Sequence, residues 1–239
     1  MPRNGVLTIL FVLFFFSSLG GSSVVNAFDP TSQYRRESIE GFSILINTNV
    51  LTNKADWAKA RNELKKQLRA ITQVVPPQPL ASLKSVSIWI EWENKKDGAA
   101  EFHPSAQWLT EHGYNPEKAG GVEISNARNF VKWSQAEQPW MILHEMSHAY
   151  HHLALGENYS AIQAAYQNAL DKGLYVNVSY VSGGSKKAYA LTNAKEYFAE
   201  LSEAYFGKND YFPFTDRELR KYDPVGHDLM EQAWGKTKK

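Results

Sequence analysis

Four of the seven histidines in this chain fall within nine residues, in HEMSHAYHH from His144 to His152. The first five of these, His144-Glu145-Met146-Ser147-His148, have the spacing of a metal-holding helix. Residues four apart lie one turn apart on the same helical face, so His144 and His148 aim two imidazoles at one point. Glu145 is rotated by roughly 100° from His144 and stands beside that point without having to ligate. Two neutral nitrogen ligands and a carboxylate that can take a proton from activated water are the equipment of hydrolytic zinc chemistry. The preceding Trp140-Met141-Ile142-Leu143 suits a buried helix that gives an ion dry surroundings. The plainer alternative is a helix whose histidines are structurally bonded or partly exposed.

A catalytic zinc usually takes three protein ligands and leaves one position for water. The spacing of one common class, with glycine three residues after the second histidine and a ligand three further, meets His151 and Ala154 here and fails. A carboxylate about twenty residues on would fall near Gln167 and Asn168, and that fails too. The better source is AYALTNAKEYFAELSEAYFG, Ala188 to Gly207, which reads as a second helix carrying Glu196, Glu200 and Glu203. Glu196 and Glu200 are four apart and share a face. One can bind metal while the other holds a ligand histidine through its second N–H; a solvent-facing acidic stripe is the competing reading.

The elements that must position these groups can be read from periodicity. Ser38–Asn47 is β-rich. Asn53 to Val75 has helical spacing through Trp57, Ala60, Leu64, Leu68 and Ile71, with Asn53 as a candidate N-cap. The prolines of VVPPQPL end that helix, a job proline does anywhere. SVSIWIEWEN alternates, with Val86, Ile88, Ile90 and Trp92 on one face, and predicts a half-buried strand. Residues 95–121 read as irregular, with a short helix near 106–111. Gly120–Asn126 is a short strand candidate. Helices follow over 137–155, 158–172 and 193–206, with a strand candidate at 176–180. The tail holds two short helices interrupted at Pro224. Strands lead and helices follow without regular alternation, which predicts an α+β fold.

HEMSHAYHH followed by YALTNAKEYFAELSEAYF resembles the zinc peptidase domain of anthrax lethal factor and its relatives, including the secreted clostridial Pro-Pro endopeptidases. The family pattern is a tyrosine, then Thr-Asn, then a glutamate followed by two aromatics, Ala and Glu. Its elements here are Tyr189, Thr192, Asn193, Glu196, Tyr197, Phe198, Ala199 and Glu200. The match covers residues 140–206. The resemblance implies a zincin-like domain: a small mixed sheet, then the active-site helix, then a C-terminal helical part. It implies one zinc ion held by His144, His148 and Glu196, with Tyr189 reaching the site from the opposite side. It further implies an endopeptidase acting on a protein or peptide substrate. There Glu145 takes a proton from zinc-activated water and the Tyr189 hydroxyl meets the developing oxyanion. The resemblance also suggests Gly120–Asn126 as the edge strand that binds substrate; an ordinary core strand is an equal reading. Tyr180, Tyr197 and Tyr205 compete with Tyr189, but the last two fall on the packing side of their helix. His151 lies ~10 Å along the axis from His144, so it and His152 read as non-ligands.

The N-terminus has the order of a secretory signal. Arg3 is followed by an apolar run from Val6 to Phe16 and by small residues ending in Val25-Asn26-Ala27. Cleavage after Ala27 is expected, leaving a single domain over 28–239 that is secreted, extracellular or periplasmic, with no membrane contact afterwards. The apolar run is far shorter than the ~20 residues that span a bilayer. Removal of Arg3 leaves 25 cations against 25 anions. That balance gives nothing to neutralise phosphates, so nucleic-acid binding gains no support. The chain has no cysteine, which excludes a disulfide scaffold. Asn158 and Asn177 begin glycosylation sequons. The rival class is a secreted metal-binding interaction module without turnover; the intact Glu145 argues against it, since a structural site has no need of that carboxylate.

Overall fold

Glu40 and Gly41 both adopt positive φ, 51° and 86°. Two such residues in succession make the tight turn that suits a twisted hairpin. In the computed structural model, which describes residues 28–236, this turn splits the expected strand at 38–47. Its first arm begins before that stretch, at Tyr34, giving β1 (Tyr34–Ile39) antiparallel to β2 (Phe42–Asn47).

Helices α1 (Thr48–Thr52), α2 (Lys54–Val74) and α3 (Pro77–Lys84) then lead to β3 (Ile88–Ile90). Asn53 does precede α2, but its side chain makes no cap and donates to the Asn49 carbonyl instead. The prolines end α2 as expected, and Pro77 opens α3, because a first-turn position needs no N–H. β4 (Glu101–His103), α4 (Ala106–Glu111), β5 (Gly121–Ile124) and α5 (Ala127–Ala136) follow. The site helix is α6 (Met141–Tyr150), extended by one π-helical turn over His151–Leu155. After α7 (Ser160–Asp171) come the small hairpin β6 (Val178–Ser179) and β7 (Ser185–Lys186), then α8 (Ala194–Phe206), α9 (Asp216–Tyr222) and α10 (Pro224–Trp234).

The main sheet has the order β1-β2-β3-β5-β4. β3 pairs parallel with both β2 and β5, and β4 pairs antiparallel with β5. The result is the expected mixed α+β fold, a small five-stranded sheet followed by helices. Two expectations change. β3 is central and buried on both faces, Trp89 as well as Ile88 and Ile90, so it is not half-buried. β5 is interior, and the edge strand beside it is β4, which lies in the stretch read as irregular.

Glu91, one of the polar residues that gave the β3 segment its alternation, is buried because it is paired. The Lys118 ammonium lies 2.6 Å from both Glu91 and Glu123. Glu123 also meets His103 Nε2 at 2.6 Å, while Tyr34 donates its hydroxyl to Glu91. One network therefore ties β1, the end of β3, β5 and β4 together. Burial alone would lower the Lys118 pKa, but Glu123 and Glu91 outweigh it and raise it. Lys118→Ala strands two carboxylates without their cation. It is expected to cost about 3–5 kcal/mol of stability by denaturant titration. A loss under 1 kcal/mol would show that the network is not held by this charge.

Candidate metal centre

Two packed helices bring the site together. The buried Met141, Ile142, Leu143, Met146 and Ala149 anchor α6 in the core. Its first turn lacks a side-chain cap of its own, and Gln67 Oε1 on α2 accepts the Ile142 N–H at 3.0 Å. α8 is capped by Asn193, whose Oδ1 accepts the N–H groups of Lys195 and Glu196 at 2.9 and 3.0 Å. That cap fixes Glu196 in the first turn. Gly207 closes α8 directly against Trp140, where an added Cβ would lie 1.9 Å from the indole. Glycine there lets the end of α8 approach the start of α6.

His144 Nε2 lies 3.0 Å and His148 Nε2 lies 3.2 Å from the same atom, Glu196 Oε2. All three ligand atoms fall within 4.8 Å of one another. His144, His148 and Glu196 thus form a cluster able to hold a metal ion. The donor chemistry supports that use. His144 Nδ1 is 2.8 Å from Glu203 Oε1. A carboxylate only accepts, so Nδ1 donates and the Nε2 lone pair faces the Glu196 oxygen. Two acceptors facing one another require a cation between them. In the metal-free chain a proton fills that role. Burial would lower His144, but its bonds to Glu196 and Glu203 overcome this and raise it well above the usual histidine range. Burial would likewise raise Glu196, yet His144 and His148 hold it far below the ordinary carboxylate range.

Glu203, rather than either of the paired Glu196 and Glu200, secures His144; Glu200 Oε1 stays 3.8 Å from Nδ1. The missed signal was its spacing of seven from Glu196, two helical turns along one stripe. Glu203→Ala should keep the fold and weaken metal binding about 10- to 100-fold, since the ligand loses the group that orients it. A competitive chelator titration measures this, and unchanged affinity would remove Glu203 from the site.

The three groups open into a cleft of about 450 Å³ walled by β4, α6 and the start of α8. Glu145 faces β4, and its Oε2 accepts the Phe102 N–H at 2.9 Å. Burial raises the Glu145 carboxyl, against the pull of His144 and His148. Tyr189 sits in a short 3₁₀ turn before α8, 46% exposed, its ring 6.2 Å from that of His144. It is the tyrosine in the cleft wall among the described residues. Tyr180 donates to Glu137, Tyr197 to Asp223, and Tyr205 to the Gly235 carbonyl.

His151 and His152 belong to none of the metal-capable clusters among the described residues. His151 packs on Phe198 and is buried. His152 pairs with Glu157, which also holds Lys195 at 2.6 Å. Another cluster, Glu101, His103 and Glu123, already carries the Lys118 ammonium. The expected signal segment lies outside the described residues. No family model matches the chain, and neither a curated protein nor a solved structure matches it.

Proposed function

We propose that this chain is a secreted, zincin-like zinc metalloendopeptidase of the kind found in anthrax lethal factor and its relatives. The observation that carries the reading is the meeting of His144, His148 and Glu196 in an open cleft, with Glu145 beside them. Two imidazoles and one carboxylate are a donor set that suits zinc and leaves a coordination position open. Zinc, when bound, supplies a Lewis acid for a peptide carbonyl and makes water a stronger acid.

The remaining work falls to the chain. The Phe102 N–H fixes one oxygen of Glu145, leaving the other to accept a proton from water and return it to the leaving amine. The Tyr189 hydroxyl donates to the carbonyl oxygen as negative charge gathers on it. The outer edge of β4 takes the place first considered for Gly120–Asn126. β4 is an edge strand whose outer side faces Glu145, so an extended peptide can add there as a further strand. The substrate is a protein or peptide; the balanced charge favours no nucleic acid. Export by the leader would deliver the enzyme to the periplasm or the medium.

The test is cleavage of a peptide library by the mature chain, with chelator and with zinc restored. Cleavage that chelation stops and zinc recovers is expected. Stoichiometric zinc without cleavage of any peptide would instead favour a binding module. On a peptide so identified, Tyr189→Phe should lower kcat ~100-fold or more with little change in KM, because it removes a hydrogen bond made to the transition state. An unchanged kcat would assign the oxyanion to another donor.

A further inference from the structure

Helix α2 turns its apolar residues inward, with Leu64, Leu68 and Ile71 buried, and its cations outward. At about 100° per residue, Lys54, Lys59, Arg61, Lys65, Lys66 and Arg69 all fall within roughly 160° of arc. The acids of the helix, Asp56 and Glu63, lie outside that arc. The whole chain holds 26 cations against 25 acids, so this face is a local segregation of charge and not general basicity. An ordinary solvated helix face mixes both signs. Asn62, Lys65, Lys66, Arg69, Ala70 and Gln73 line a groove of about 330 Å³ on this face. From Asn62 to Gln73 the row runs ~16 Å.

The acids that touch these cations do not cover them. The Lys66 side chain is 64% exposed and that of its partner Glu63, 3.3 Å away, 4%. The Arg69 side chain is 58% exposed and that of Glu40, 3.1 Å away, 22%. Arg61 donates its Nε–H to Glu37 of β1 at 2.9 Å. Glu37 in turn meets the exposed Arg35 at 3.7 Å, so the edge strand extends the basic face. Lys65 is exposed and, among the described residues, pairs with no acid. Solvent therefore meets the positive groups, with their counter-charges set beneath or to the side.

We propose that the outer face of α2 docks a linear anionic polysaccharide, carboxylated or sulfated, along the row of Lys65, Lys66 and Arg69. Ammonium and guanidinium groups pair with the oxygens of such anions, and the polymer releases condensed counterions as it binds. A groove along one helix fits a chain rather than a plane. Among the described residues, neither α2 nor β1 exposes a large apolar side chain. An anionic membrane would need such a side chain to anchor the helix, and single-stranded nucleic acid would need an exposed ring for its bases to stack on. No residue of α2 or β1 lines the cleft, so this surface holds the protein on a polymer independently of metal binding and peptide hydrolysis.

The test measures binding of the zinc-loaded chain to labelled dextran sulfate and polygalacturonate, with uncharged dextran as the reference. Binding to at least one polyanion and none to dextran is expected. The logarithm of the affinity should fall against the logarithm of salt concentration with a slope of about −2 for three contacts. Lys65→Gln, Lys66→Gln and Arg69→Gln combined should weaken binding about tenfold or more and leave zinc content and melting temperature unchanged. Lys172→Gln, Lys208→Gln and Lys221→Gln combined remove the same charge from exposed positions outside α2 and should leave affinity within about twofold. Where the α2 triple variant melts early, Lys65→Gln alone, at the unpaired position, should still cost about threefold. No binding of either polyanion at low salt would overturn the proposal. So would equal losses in the two triple variants, which would make net charge the cause. Tighter binding of single-stranded DNA or of phosphatidylglycerol vesicles than of either polysaccharide would assign the surface to another partner and also overturn it.

Discussion

Glu145→Gln is expected to keep the metal and the fold and to lose about 100- to 10,000-fold in turnover. The amide has the shape of the carboxylate, and its oxygen can still accept the Phe102 N–H. It cannot take a proton from water. His144, His148 and Glu196 remain untouched, so metal content should equal that of the wild type. Because the defect lies in proton transfer rather than in peptide binding, kcat should fall and KM should stay close to its wild-type value. Zinc content and thermal melting, measured alongside kcat and KM on one peptide, separate this from loss of structure. Cleavage at near wild-type rate would exclude Glu145 as the base and with it the proposed mechanism.

The parts of the site legible in the sequence are those set by helical spacing. His144 and His148 are four apart, and a helix leaves them little choice but to converge. Glu196 could be chosen over Glu200 and Glu203 only through the family resemblance, because three glutamates at helical intervals carry no mark of which one meets the histidines. The capped first turn of α8 supplies that mark, since Asn193 fixes where the helix starts and hence that Glu196 meets both histidines from its first turn. Glu203 escaped notice for the same reason, although its distance of two turns from Glu196 was there to be read.

The sheet was harder to read. β1 is a polar edge strand, Tyr-Arg-Arg-Glu-Ser-Ile, whose apolar alternation is too weak to stand out. β4 has three residues, too few for a period, yet it forms the wall that faces Glu145. Alternation misled in the β3 segment, because Glu91 is buried against Lys118 from a distant turn that no local pattern reveals. α5 was a readable omission. Asn126 caps the N–H groups of Arg128 and Asn129, and Ala127, Phe130 and Ser134 form a buried stripe at intervals of three and four. The α+β class survived these errors because it rests on the order of elements rather than on their edges.

The second large effect concerns the ligands. Glu196→Ala should bring zinc to background after dialysis, and His144→Ala and His148→Ala should do the same. Each removes one of three protein ligands, and the two that remain cannot close a site that also keeps a position for water. Glu196 adds a second reason, because its Oε2 is the one atom near both histidines, at 3.0 and 3.2 Å. Without it no carboxylate ligates beside the imidazoles to offset a divalent charge. The same assay on other variants should give a graded series. Glu203→Ala, which removes only the partner of His144 Nδ1, should be weakened but not emptied. His151→Ala and His152→Ala should bind as the wild type does, since one packs on Phe198 and the other pairs with Glu157. The order of the series carries more weight than any single loss, since a merely unfolded variant would lose zinc wherever the substitution lay. Full zinc occupancy in Glu196→Ala would sink the third-ligand assignment and turn attention to Glu200 and Glu203 on the same helix.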